Sequence, residues 1–315
     1  MSVAERQLRV ISAYFDAFNR HEPGLLAARW AETATSEGRR HGPVAARLLN
    51  EDLCRAAPDI RAVIQEMVAA VDQVVVRSIW SGTHLGQGAI LTDSERVPRL
   101  APTGRSFSIQ SIDWFTLEDG LIARHHSNRD EMSLLMQLGL LKPIPPVSLP
   151  AVPATAVEHR HVTGSAEQAR NLRVINEYNS AMSRRDLDAA LSYFAEDTRN
   201  HGRPVGRAGL RTVFTDIFRT YSVEDDGLSA VETIAVDDCV VARLILHHRH
   251  TGTSQIPIDG GLLMGKPPTG KSCRIQHIHW YTLRDGLIVE HRASRDDVGM
   301  MMQLGLFPDL TSGGA

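Results

Sequence analysis

The sequence predicts an α+β protein built from two tandem copies of one domain, each with helices packed on one face of a curved antiparallel sheet. Three observations carry this expectation. Residues 102–140 (PTGRSFSIQSIDWFTLEDGLIARHHSNRDEMSLLMQLGL) and 268–306 (PTGKSCRIQHIHWYTLRDGLIVEHRASRDDVGMMMQLGL) match at 22 of 39 positions without a gap, which chance does not produce, so the chain is an internal duplication. Each copy opens with apolar residues at helical spacing. Each then changes to Val- and Ile-rich runs joined by Asp-Gly turns, the strongest short-range hairpin signal. Helices followed by a strand meander make an α+β domain.

The elements follow in order. Leu8, Ile11, Tyr14, Phe15 and Phe18 mark an amphipathic helix in copy one, and Leu172, Ile175, Tyr178 and Met182 mark it in copy two. A second, short helix is expected over residues 25–30 and 186–194, and a third over 44–54 and 208–218. Residues 64–80 and 231–248 then read as strand pairs, with turns at Ala70-Val71-Asp72 and Val236-Asp237-Asp238. The last hairpins run 106–128 around Glu118-Asp119-Gly120 and 273–294 around Arg284-Asp285-Gly286, and each copy closes on a short apolar segment.

Length and composition set outer bounds. The 315 residues suit about two domains, each able to bury its own core. The expected division is domain 1 at 1–141, a linker at 142–170 and domain 2 at 171–315. Pro143, Pro145, Pro146, Pro150 and Pro153 forbid helix in the linker and favour an extended, stiff spacer. Helix resumes near Ser165, where Ser-Ala-Glu-Gln resembles a capping box. A net charge of -3 and the absence of a Lys/Arg run argue against a nucleic-acid partner. No apolar run reaches the roughly 18 residues a membrane helix needs. The opening MSVAERQLRVISAYF lacks an apolar signal core. Cys54, Cys239 and Cys273 are odd in number and lack metal-ligand spacing, so reduced thiols in a cytoplasmic protein are expected.

Three stretches then resemble one family. The first is Asp72-Gln73-Val74-Val75-Val76-Arg77 with Gly82-Thr83-His84-Leu85-Gly86, echoed by Asp238-Cys239-Val240-Val241-Ala242-Arg243 with His250-Thr251-Gly252. The second is Pro-Thr-Gly, a strand, then Asp-Gly-x-Ile. The third is Arg-Asp, an apolar step, and Met-Gln-Leu-Gly. Together they resemble the SnoaL-like polyketide cyclases, or ester cyclases, of the nuclear-transport-factor-two-like superfamily. The resemblance implies a cone-shaped α+β barrel with a deep apolar cavity, usually paired as a dimer, so a fused tandem would form an intramolecular pseudo-dimer. It also implies a cofactor-independent cyclase acting on a polyketide or other carbonyl-rich, hydrophobic small molecule.

In that family the Asp of the final motif is the base of an aldol closure, and it maps onto Asp130 and Asp296. A carboxylate facing an apolar cavity is desolvated and becomes a stronger base, able to take a carbon-bound proton without metal or cofactor. The competing structural role is a helix N-cap, since an apolar helical segment follows each. Strand parity counted back from these positions groups His126 and Asn128 with Asp130, and Arg292 and Ser294 with Asp296. His126 and Arg292 stand where many relatives carry Trp, and either could stabilise an enolate. His84, His250 and His279 are further candidate acids or donors. Asp113, Glu37, His201, Trp114 and Trp280 are expected to line the pocket. No His-x-x-x-His pair points to zinc, so no metal is expected. Two other uses of such a cavity stay open: activation of water for hydration, epoxide opening or hydroxylation, and binding without chemistry.

Overall fold

The computed structural model describes residues 2–90, 100–142, 158–161, 166–257, 261–308 and 310, in two units that each contain one copy. In copy one, Ser2 accepts from the Glu5 N–H and the Glu5 carboxylate accepts from the Ser2 N–H at 2.7 Å, a reciprocal cap that starts α1 (Val3–Asn19). There follow α2 (Pro23–Ala27), β1 (Trp30–Ser36), β2 (Arg39–Arg40), α3 (Pro43–Ala56), β3 (Arg61–Ala70), β4 (Gln73–Thr83), β5 (Ser106–Glu118), β6 (Leu121–Arg129) and α4 (Glu131–Gln137). The strand order is β2-β1-β6-β5-β4-β3-β7, where β7 (Glu158–His161) runs parallel to β3. β3 to β6 form the expected antiparallel meander. β1 runs parallel to β6. The sheet is open, with β2 and β7 at its edges, and does not close into a barrel.

Copy two repeats the plan with α5 (Ala166–Ser183), α6 (Leu187–Ser192), β8 (Phe194–Asn200), β9 (Arg203–Pro204), α7 (Gly206–Thr220), β10 (Tyr221–Val236), β11 (Cys239–His250), β12 (Ser272–Arg284), β13 (Leu287–Arg295) and α8 (Asp297–Leu304). Its open sheet is ordered β10-β11-β12-β13-β8-β9. The prolines of the linker and the capping box expected at Ser165 lie outside the described residues. No helix among the described residues is long and apolar enough to cross a membrane.

The short helices differ from expectation. Trp30 and Phe194, expected as their last residues, instead open strands. Trp30 pairs with Ile122 and Phe194 with Ile288, while their rings meet Tyr14 (6.3 Å) and Tyr178 (5.2 Å) of the first helices. Sheet pairing and ring burial thus override a helical apolar pattern. The strands that follow, WAETATS and FAEDTRN, are too polar to announce themselves in the sequence.

One face of each sheet is covered by the first helix. Phe115 of β5 meets Tyr14 and Phe15 of α1 at 5.6 and 6.3 Å, and Trp80 of β4 meets Phe18 at 4.5 Å. In copy two Tyr281 of β12 meets Tyr178 of α5 at 6.0 Å. Burying each such aromatic is worth roughly 2–3 kcal/mol, so this contact both docks the helix and marks which side chains lie beneath it.

Candidate functional site

The residues under the helix are fixed by a bulge. The Asp119-Gly120 turn, with φ of 50° and 77°, is the left-handed pair a two-residue hairpin needs, and Asp285-Gly286 repeats it with 54° and 77°. Glu118 pairs with Leu121 and Leu117 with Ile122, but Thr116 pairs with Arg124. Ala123 is therefore an extra residue. Val289 is its counterpart, since Leu283 pairs with Ile288 and Thr282 with Glu290. Beyond the bulge Phe115 faces His125 and Asp113 faces Ser127; in copy two Tyr281 faces His291 and His279 faces Ala293. The helix-covered strip is thus Ser111, Asp113, Phe115, His125 and Ser127 in copy one. In copy two it is His277, His279, Tyr281, His291 and Ala293.

In copy one the strip carries a continuous hydrogen-bonded chain. The Ser111 hydroxyl donates to Asp113 Oδ2 at 2.7 Å, His125 Nε2 lies 3.0 Å from Asp113 Oδ1, and His125 Nδ1 lies 3.0 Å from Ser36 Oγ. Ser111, Asp113 and His125 are buried. Burial pushes the Asp113 carboxyl up, but the bond from His125, its charge and that of Arg129 outweigh it and hold the group below the ordinary 3.8. An anionic acceptor makes His125 Nε2 the donor. Tyr14 is pushed far up, first by burial and then by Asp113. His41, whose ring meets Trp30 at 4.7 Å and a 60° tilt, is pushed down to about 4 by burial and by His125.

Copy two builds the same chain at the same four positions from different groups. His277 Nδ1 lies 3.3 Å from His279 Nε2, His279 Nδ1 lies 2.9 Å from His291 Nε2, and His291 Nδ1 lies 2.9 Å from Asn200 Oδ1. Serine, aspartate, histidine and serine have become histidine, histidine, histidine and asparagine. The rings stack on one another and on Tyr281, with His279–His291 and Tyr281–His291 centroids both 5.0 Å apart. Burial, then the neighbouring imidazoles, push His277 and His291 well below the ordinary 6.5. Among the described residues no group of three or more His, Cys, Asp or Glu side chains is arranged to hold a metal ion. Here the imidazoles bond to one another instead.

The other expected residues are not members of these chains, although the His201 ring lies edge-on to His291 at 6.0 Å. Asp130 and Asp296 lie one residue past the ends of β6 and β13, where each carboxylate accepts from a helix-start N–H: Ser133 at 3.0 Å and Gly299 at 2.7 Å. Both are N-caps. His126 and Asn128 share a face, as parity predicts, but they pair with Trp114 and Ile112 on the side away from α1. Arg292 and Ser294 likewise pair with Trp280 and Ile278. Asp130 and Asp296 stand one residue past the strands, where their carboxylates turn to the helices that follow. Trp114 and Trp280 are fully buried on that same second face. Glu37 accepts from the Ser127 N–H at 2.5 Å and lies 3.3 Å from His126 Nδ1. Burial pushes its carboxyl up, but the His126 contact outweighs this and the group stays below 4.5. His201, at the equivalent turn, donates its N–H to the His291 carbonyl at 2.8 Å.

His84 and His250 are fully buried clamps on the Pro-Thr-Gly turn. Each exchanges two backbone bonds with it: His84 with Gly104 and Arg105, His250 with Gly270 and Lys271. The Thr269 N–H donates to His250 Nδ1 at 3.2 Å, and burial lowers both rings' affinity for protons. Of the expected site residues, Asp113 and His279 are the members of the two hydrogen-bonded chains. His125, Ser111 and Ser36, and His291, His277 and Asn200, were not singled out as site residues. A period-two count from Asp113 and His279 finds Ser111 and His277; the others depend on the bulge and on β1 and β8.

The sequence matches the profile of the SnoaL-like polyketide cyclase family twice, over residues 8–138 and 172–304. No curated protein matches it. Among solved structures it is similar to TsrD from Streptomyces laurentii, at 22% identity over 45% of this chain and 99% of that one, TM-score 0.39. It is also similar to AclR, a candidate hydroxylase from Streptomyces galilaeus, at 24% identity over 44% and 99%, TM-score 0.38. A third is IdmH, a candidate polyketide cyclase from Streptomyces antibioticus, at 23% identity over 42% and 98%, TM-score 0.35.

Proposed function

Because the chain belongs to the SnoaL-like polyketide cyclase family, once in each half, we propose that it is a cofactor-independent cyclase or isomerase of a hydrophobic, carbonyl-rich intermediate. Proton transfer is assigned to the strip under the helix, at Asp113–His125 and His279–His291. The observation that supports this is the pair of hydrogen-bonded chains at equivalent positions, walled by Tyr14 and Phe115 or by Tyr178 and Tyr281. Asp113 and His291, displaced from their ordinary pKa by burial and by named partners and set against aromatic walls, suit proton transfer to and from an apolar ligand. Asp113 fixes His125 Nε2 as the donor, which leaves Nδ1, 3.0 Å from the Ser36 hydroxyl, as the ring nitrogen that exchanges a proton with it. Asp130 and Asp296, spent on helix N-termini, are assigned to capping.

Exchange of the protons beside the carbonyl tests this. One- to three-ring aryl ketones, 2-tetralone among them, are incubated with the full chain in D2O and followed by NMR. Exchange above buffer that survives Asp130→Asn with Asp296→Asn, and falls about 100-fold or more in Asp113→Asn with His279→Gln, supports the assignment. No exchange across the panel, or loss only in the Asp130/Asp296 variant, overturns it. Oxygen-18 from water appearing in a product points to hydration instead.

A further inference from the structure

His277 ends the copy-two chain with a group that no described residue satisfies. It is 7% exposed, and its Nε2 has no hydrogen-bond partner among the described residues. The Tyr281 hydroxyl, two strand positions along the same face past His279, is fully buried and likewise unpartnered there. A buried polar atom left unpaired costs about 1–3 kcal/mol, and two on one strip mark a place where a polar ligand belongs.

The chain also has a direction. Asn200 presents Oδ1 to His291 Nδ1, so that nitrogen carries the proton and His291 Nε2 is an acceptor. His279 Nδ1 must then donate to His291, leaving its Nε2 to accept from His277 Nδ1. All three rings are neutral Nδ1–H tautomers, and the lone pair left over is His277 Nε2. We propose that His277, His279 and His291, ordered by the Asn200 amide, form a proton relay whose open end, His277 Nε2, takes the proton of an acidic hydroxyl or enol of a ligand in copy two.

The transfers balance. The ligand O–H bond breaks, its electron pair stays on oxygen, and an N–H bond forms at His277 Nε2. His277 then passes its Nδ1 proton to His279 Nε2, and His279 passes its own to His291 Nε2. The positive charge ends on His291, two rings from the new anion, and the reverse sequence returns the proton. Copy one cannot do this, because Ser111 and His125 both donate into Asp113 and the chain has no through direction. The groups facing His277 are His248 on β11, His279 on β12, and His291 and Arg295 on β13. Burial first, and then these neighbours, hold its ring below the ordinary 6.5, so it is an acceptor at neutral pH.

The inference rests on the reading that copy two holds an enolisable ligand, but its first test needs no turnover. In protein carrying 15N-histidine, two-bond proton–nitrogen spectra report each tautomer, with assignment by single His→Gln variants. His277, His279 and His291 are expected as Nδ1–H rings, against the Nε2–H form that free histidine prefers. Asn200→Leu is expected to return His277 toward Nε2–H. A wild-type His277 in the Nε2–H form overturns the relay. As a ligand probe, 4-nitrophenol is expected to bind as its coloured phenolate, about tenfold more weakly in His277→Gln. Binding in the un-ionised form, or equal affinity in His277→Gln, also overturns it. Correct tautomers and phenolate binding without ketone exchange would keep the relay and sink the cyclase reading.

Discussion

His125 Nε2 lies 3.0 Å from Asp113 Oδ1 across the β5–β6 hairpin. The same place in copy two joins two imidazoles, His279 and His291, at 2.9 Å. One half of the protein places a carboxylate where the other places a second imidazole. Duplication has kept the geometry of the contact and exchanged its charge.

Removing that charge should cost stability in a pH-dependent way. Asp113→Asn leaves His125 without its anion and should destabilise copy one by about 2–3 kcal/mol near pH 7. The folded carboxyl titrates below 3.8, so its contribution is complete above about pH 5 and fades as the pH falls through 3.8 toward the folded value. Urea unfolding near pH 7 and pH 3 should show the gap between wild type and variant closing in acid.

Four histidines work in the opposite sense. His84, His250, His277 and His291 all bind protons less readily than 6.5 when folded. Above 6.5 they are neutral whether folded or not. Below it the unfolded chain takes up protons that the folded chain refuses, and stability drops. Tm should fall between about pH 7.5 and 5.5, less steeply in His277→Gln. An equal slope would mean that His277 titrates normally in the fold.

Asparagine caps helices as well as aspartate does, and alanine does not. Asp130→Asn and Asp296→Asn should therefore unfold like the wild type, whereas each alanine variant should lose about 1 kcal/mol. Turnover should follow the asparagine variants unchanged. A silent melting curve with lost turnover would return the base role to these carboxylates.

His279→Asp writes the copy-one residue into copy two. An anion beside His291 should favour its imidazolium, and its NMR titration should move up from well below 6.5 toward or above that value. If it stays down, desolvation alone governs that ring.

The architecture was legible in the sequence because duplication, helical periodicity and Asp-Gly turns each have local signatures. The faces of the last hairpin were not. Counting by two from Asp130 presumes that a residue outside β6 obeys its alternation, and counting across the turn presumes a regular hairpin. Without the extra Ala123, His126 would oppose Asp113; with it, Ser127 does, and His125 is brought to the carboxylate. β1 and β8, which supply Ser36 and Asn200, have almost no apolar pattern and owe their place to pairing with β6 and β13.

That extra residue has guards that never touch the buried chain. A hairpin slipped into even spacing would set Arg124 opposite Phe115 and Glu290 opposite Tyr281, beneath the helix, where an unpaired charge costs several kcal/mol. In the native register Arg124 is exposed, and Glu290 instead accepts the Gly202 N–H at 2.8 Å and sits 3.3 Å from Arg199. Two solvent-side charges thus act as a ratchet on the hairpin, deciding which of two neighbouring side chains, His125 or His126, His291 or Arg292, is presented to a ligand.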